Sequence, residues 1–199
     1  MRAGVETGGV QTGRASPTAL STAIGAELDA LAPAVRALHA DHGRVEGRIT
    51  VRHGAGLLAP LIAKLTGLPR ATDGMPLRLT TASTPDGADR WVRDIGARSY
   101  PSQIAAAGDG LLSERMGPVT ATTRIAIAGG GIAMTLVRAR FLGMPLPGPL
   151  APGVETLETE GERDGRRVYR FDVRIRLPVL GTLLVHYQGW LDTLGEGGP

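Results

Sequence analysis

Along most of this chain apolar and polar residues alternate, and the alternation breaks at short glycine-containing turns. Leu77–Ser83 and Arg90–Ile95 flank Pro85-Asp86-Gly87, and Ser102–Ala107 and Leu111–Met116 flank Gly108-Asp109-Gly110. Thr120–Ala128 and Ile132–Phe141 flank three glycines, and Val154–Glu162 and Arg167–Leu177 flank Arg163-Asp164-Gly165. Each such turn predicts an antiparallel hairpin, because glycine supplies the positive φ that tight turns require. A strand over Arg44–His53 precedes these pairs, and Thr182–Trp190 follows a Pro178-x-x-Gly corner. Before the strands, Leu20, Ile24, Leu28, Leu31, Val35 and Leu38 recur every three or four residues, which is one apolar stripe on a helix. Ser16-Pro17 marks its expected start, and Pro33 splits it into a second short helix through His39. Leu57–Thr66 predicts a further short helix, stopped by Gly67 and Pro69.

The fold class that follows is α+β and predominantly antiparallel β. About ten strands in this order curl into a barrel or split into a sandwich. Closure removes exposed sheet edges, so a barrel or strongly curved sheet packed against the N-terminal helices is the expectation. The domain should span residues 16–193, between a disordered tail at 1–15 and a flexible tail at 194–199.

Composition sharpens this picture. A chain of 199 residues suits one domain with a sizeable core. Aromatics make up only 4%, so that core must be aliphatic, while 29 glycines and 14 prolines suit short strands and turns. With no cysteine, thiolate chemistry and disulfides are excluded, and a reducing cytoplasm is the expected location. No apolar run reaches the roughly eighteen residues a membrane helix needs, so no integral membrane contact is expected. The net charge is +3, almost all of the positive charge being arginine. Arg170, Arg174 and Arg176 alternate with Phe171, Val173, Ile175 and Leu177, and Asp172 interrupts them. That is the pattern of a solvated outer face, not of a nucleic-acid stripe with stacking aromatics.

Two motifs carry little weight. Gly54-Ala55-Gly56-Leu57-Leu58-Ala59 reads as a dinucleotide fingerprint, but the hairpins after it lack the parallel crossover unit that such a site requires. His39, His42 and His53 with Asp41 are a conceivable metal set, yet histidines at a helix end serve terminal carbonyls equally well. No cofactor and no metal are expected.

Strand parity gives the stronger argument, since a charged residue in the apolar register points inward. Glu114 shares a face with Leu112 and Met116, and Arg93 with Trp91 and Ile95. Arg138 shares one with Ile132, Met134 and Leu136, and His186 with Leu184 and Trp190. These groups form either a structural ion pair between Glu114 and an arginine, or the polar anchors of a greasy pocket.

One set of motifs is spread along the chain: LAPAVRALH at Leu31–His39, GRITVRHGAG at Gly47–Gly56 and GLPRATDGMPLRL at Gly67–Leu79. WVRDIG at Trp91–Gly96, ERMGP at Glu114–Pro118, LGMPLPGPLAP at Leu142–Pro152 and the closing YQGWL complete it. Through this set the chain resembles a family of unknown function, family 4166. Ile95, where an aromatic is expected, and the loop after Gly96 depart from it. The resemblance brings no assigned catalytic residues. It implies a domain found alone or C-terminal to saccharopine-dehydrogenase-like domains, so this chain is expected to act alone or in trans.

The leading expectation is a barrel that encloses a bulky, mostly apolar small molecule. Trp91, Arg93, Met116, Met134, Arg138 and Trp190 are its ligand-binding candidates. Glu114 and His186 are candidates for proton transfer in a cofactor-independent cyclase or isomerase of bacterial secondary metabolism. The alternative is a non-catalytic accessory module docking to a separate dehydrogenase-like partner.

Overall fold

The computed structural model describes residues 16–55, 62, 65–177 and 182–195. The expected tail at 1–15, the Pro178 corner, most of the Leu57–Thr66 helix and the end of the C-terminal tail lie outside them.

Eleven strands are present among the described residues: β1 Arg44–His53, β2 Thr72–Ser83, β3 Asp89–Ile95, β4 Arg98–Ala106, β5 Leu111–Met116, β6 Val119–Ala128, β7 Gly131–Phe141, β8 Met144–Pro145, β9 Gly153–Arg163, β10 Arg166–Arg176 and β11 Leu183–Asp192. All pair antiparallel. Ten of them close into a barrel, and the two-residue β8 lies outside, bonded only to β7. Around the ring each strand neighbours its predecessor, β9 takes the place after β7, and β11 pairs back onto β1. Closure gives every wall strand a partner on both sides.

The N-terminal segment plugs one end. It holds α1 (Ala19–Ile24), a 3₁₀ turn over Gly25–Ala30, and α2 (Pro33–Ala40), with Pro33 at its first turn. The cap of α1 is Thr18 and not Ser16. Its hydroxyl accepts from Ser21 N at 3.1 Å and donates to the His39 carbonyl at 2.6 Å, so one side chain caps α1 and ties it to α2. Asp89, at the start of β3, accepts the buried first-turn Ala19 N–H at 2.8 Å. Hairpin tips complete the seal: Gly110 N bonds Ala23 O, and Gly130 O accepts from Ala32 N, each at 2.9 Å. A Cβ at Gly130 would stand 3.1 Å from Ala32 N, and its φ is +78°, so glycine suits this approach.

The apolar stripe of the helices meets the barrel interior here. Leu20, Ile24, Val35 and Leu38 are buried with Ile132, Val185, Tyr169 and Leu191 in one core. The rest of the interior is a hollow that runs toward the opposite end.

Candidate functional site

The hollow has a volume of about 360 Å³, which lies within the range of small-molecule sites. Inward positions of the wall supply most of its lining. Leu77 and Leu79 come from β2, Ile104 from β4, Val119 and Ala121 from β6, and Phe171, Val173 and Ile175 from β10. Leu146, Leu150 and Pro152, from the segment joining β7 to β9, line the end away from the helices.

A polar cluster interrupts this apolar wall. On β3, Arg93 reaches across β4 to β5. Its Nη1 donates to Ser102 Oγ at 2.8 Å and its Nη2 to Glu114 Oε1 at 3.1 Å, and the guanidinium sits 5.3 Å from the Trp91 ring centroid. Glu114 Oε2 has no hydrogen-bond partner among the described residues, and the side chain keeps 35% of its surface accessible inside the barrel. The second group comes from the plug and the other side of the ring. His39 Nε2 of α2 lies 2.7 Å from Glu158 Oε2 of β9, with both side chains buried. The His39 ring packs 5.7 Å from Trp91 and 6.2 Å from Tyr169.

Two tyrosines join the groups. Burial pushes the Tyr169 phenol well above its ordinary pKa, and the Glu158 carboxylate adds to the shift both as a charge and as a hydrogen-bond acceptor. Burial likewise pushes Tyr187 up to about 12, with the charge of Glu114 next in weight. Arg93 opposes both shifts. The Tyr187 hydroxyl takes no hydrogen bond from a described residue and lines the cavity. The cluster therefore offers an unfilled acceptor on Glu114 and an unfilled, protonated phenol on Tyr187.

The structure gathers Trp91, Arg93, Glu114, Met116 and Met134 on the cavity wall. It does not bring Arg138, His186 or Trp190 there, and the cause is a β-bulge in each strand. On β7, Leu136 faces Thr123 and Arg138 faces Thr122, so Val137 is an extra residue. Past it the alternation reverses. Ala139 and Phe141 turn inward, and Arg138 is exposed. On β11, Val185 faces Ile175 and Leu183 faces Arg176, which makes Leu184 the extra residue. Tyr187 and Leu191 then point inward. His186 bonds Asp172 at 2.9 Å on the outer wall, and Trp190 lies outside under the Arg163 guanidinium at 4.7 Å. One extra residue in a strand is enough to exchange its two faces.

The three histidines discussed as a metal set separate. His39 meets Glu158, His42 meets Asp89 at 2.8 Å, and His53 meets the Pro69 carbonyl at 2.8 Å. The second half of the G-x-G-x-x-A stretch lies outside the described residues. On β10 the arginines at 170, 174 and 176 are exposed on the outer face, as alternation predicts.

Sequence reasoning missed Glu158, Tyr169 and Tyr187, and weighed His39 only as a metal ligand or helix-end residue. Tyr169 and Glu158 carried a signal, for Tyr169 is in register with Phe171 and Val173, and Glu158 with Val154 and Thr156. Tyr187 carried none, because the bulge at Leu184 is silent in the alternation.

No curated protein and no solved structure gave a significant match to the chain. The model of one family, described as a domain of unknown function (DUF4166), matches residues 31–191, from just before α2 through nearly all of the last wall strand. The barrel, its plug and its cavity are thus those of a DUF4166 protein, the family to which this chain belongs.

Proposed function

We propose that this barrel binds a bulky, mostly apolar small molecule whose polar end is an uncharged hydroxyl or carbonyl. The observation that carries the reading is the hollow itself, greasy along its length, with one accessible carboxylate oxygen and one free phenol at its polar cluster. The carboxylate accepts from a hydroxyl, and Tyr187 donates to a carbonyl. Arg93, already engaged by Glu114 and Ser102, is balanced and does not call for an anionic ligand. A filled interior would have suited the accessory-module reading, so the cavity favours ligand binding over it.

If chemistry follows binding, Glu114 is the group placed to move a proton, since it touches the hollow and His186 does not. Tyr187 would hold the oxygen on which charge develops. Isomerisation or cyclisation by proton transfer and shape is within the reach of these groups.

A neutral solvatochromic dye that brightens in apolar surroundings tests the binding step. Saturable binding is expected, weakened in Glu114→Gln and Arg93→Ala. Native mass spectrometry of the purified protein should show a bound small molecule. A chain that takes up neither dye nor any co-purifying molecule, or variants that bind the dye as the parent does, would overturn the reading.

A further inference from the structure

The end of the barrel opposite the helices differs from the plugged end in two ways, one of shape and one of charge. Among the described residues it carries the uncharged segment Leu142–Pro152. Leu142, Met144 and Leu150 on it are 69%, 64% and 61% exposed. Of the other exposed large apolar side chains among the described residues, Leu65 and Met75 also lie toward this end, whereas Val137 and Leu157 stand on the outer wall between the ends. Leu142 is also held in a left-handed conformation, φ +51°, at the tip of the Phe141–Met144 hairpin. Asn or Gly would sit there without the steric cost. A leucine that is both strained and solvent-exposed is explained by what its side chain meets, not by the turn.

The charge around the same rim is basic. Arg52, Arg70, Arg98, Arg140 and Arg176 are exposed at strand ends facing this way, and among the described residues none belongs to an ion pair. Asp73, Asp94 and Glu155 are the acids nearest them, and Asp73 and Asp94 bond Thr50 and Ser99. At the plugged end charge of both signs is mixed and largely paired: Asp29, Asp41, Asp86, Asp109, Glu162 and Asp164 stand outward beside Arg36, Arg163, Arg166 and Arg167, and each of these arginines lies in an ion pair. The wall between is charged on its outer face, with Arg44, Glu46 and Arg48 along β1, so the barrel does not present an apolar belt to lipid.

We propose that the barrel docks by this rim onto an anionic lipid surface, with Leu142, Met144 and Leu150 entering the interface and the arginines contacting lipid phosphates. Apolar tips within a basic collar are the chemistry that such a surface recognises. The docked orientation sets the end of the cavity lined by Leu146, Leu150 and Pro152 against the membrane. The docking stands whether or not the cavity takes a ligand, and it extends the function proposed above by naming the surface from which an apolar molecule would come.

Sedimentation of the intact chain with vesicles provides the test. Vesicles of phosphatidylcholine containing phosphatidylglycerol should carry the protein down, while phosphatidylcholine alone should carry little, and added salt should release it. Arg98→Glu with Arg140→Glu should weaken binding by at least about fivefold per arginine. Leu142→Asp with Met144→Asp should do so comparably. Arg124→Glu, an exposed site toward the plugged end, should leave binding unchanged. All these side chains are exposed, and circular dichroism should show the parental fold in each variant. Three results would overturn the proposal: no sedimentation with the anionic vesicles, rim variants that sediment like the parent, or equal loss in Arg124→Glu. A concentration-dependent dimer abolished by the rim variants, without lipid binding, would assign the rim to a second copy of the chain and overturn it as well.

Discussion

Tyr187 stands between two carboxylates and one guanidinium, and its raised pKa has a measurable consequence. The folded state holds the proton up to about 12, whereas an unfolded tyrosine releases it near 10. Below about 10 both states are protonated and the difference contributes fully to stability; above that only the unfolded state loses its proton, so stability falls as pH rises toward 12. A shift of this size corresponds to about 2–3 kcal/mol. Denaturant midpoints should therefore decline steeply across this alkaline window, and Tyr187→Phe should flatten the decline. Absorbance titration should find two of the chain's three tyrosines ionising only above the ordinary range. The buried His39–Glu158 pair makes a second residue-scale prediction. Removing one partner strands the other in an apolar site, so His39→Leu should cost about 3–5 kcal/mol in urea unfolding. His39→Leu with Glu158→Gln, which leaves no stranded charge and keeps an acceptor for the Tyr169 hydroxyl, should recover part of that loss.

Within the strands, small irregularities decide which side chains reach the site. Deleting Val137 removes the β7 bulge without exchanging faces, because Arg138 then follows Leu136 as an outward residue while Ala139 and Phe141 stay inward. The deletion should therefore keep the parental circular dichroism and leave binding of the neutral dye as in the parent. Loss of dye binding in a folded deletion variant would mean that the bulge shapes the cavity beyond setting which face is inward. Gly189 on β11 is constrained differently. A Cβ there would lie 2.2 Å from Arg48 O and 2.6 Å from Phe171 Cζ, because β1, β10 and β11 crowd at this point. Gly189→Ala should cost about 1–3 kcal/mol by overpacking, read as a lower thermal midpoint. The same irregularities set what was legible beforehand. Glycine turns announced the hairpins, and parity correctly turned Trp91, Arg93, Glu114, Met116 and Met134 inward, because β3, β5 and the first half of β7 are regular. Parity failed at Arg138, His186 and Trp190, each beyond an extra residue that no alternation rule registers. The start of β4 at Arg98 was missed because Gly96-Ala97 makes so short a turn that loop and strand look alike. The cluster itself was only half visible, since α2, β3, β5, β9, β10 and β11 meet through ring closure, and separations such as that between His39 and Glu158 are set by topology.

For the molecule as a whole, closing ten strands into a ring sets a circumference wider than a scarcely aromatic sequence fills. The helices supply enough apolar surface to pack one end, and the remaining volume stays open. Such a hollow is costly, because its lining forgoes dispersion contacts that a solid core would make. Its presence is therefore at odds with selection for stability alone, and it fits a trade in which part of the fold's stability is given up for a site. Ala121 tests this directly. It lies on the cavity wall between Glu114 on β5 and Ala139 on β7, with no hydrogen bond from its side chain to lose. Ala121→Leu adds three carbons to the void without displacing a packed neighbour. Burying them at about 0.8 kcal/mol each, less the rotamer entropy lost, should raise stability by about 1–2 kcal/mol. The thermal midpoint should rise by a few degrees while binding of the neutral dye falls sharply. A rise in midpoint with dye binding retained would place the dye elsewhere on the barrel. A fall in midpoint would mean that the wall around Ala121 is already close-packed, and the ligand reading would lose the hollow on which it rests.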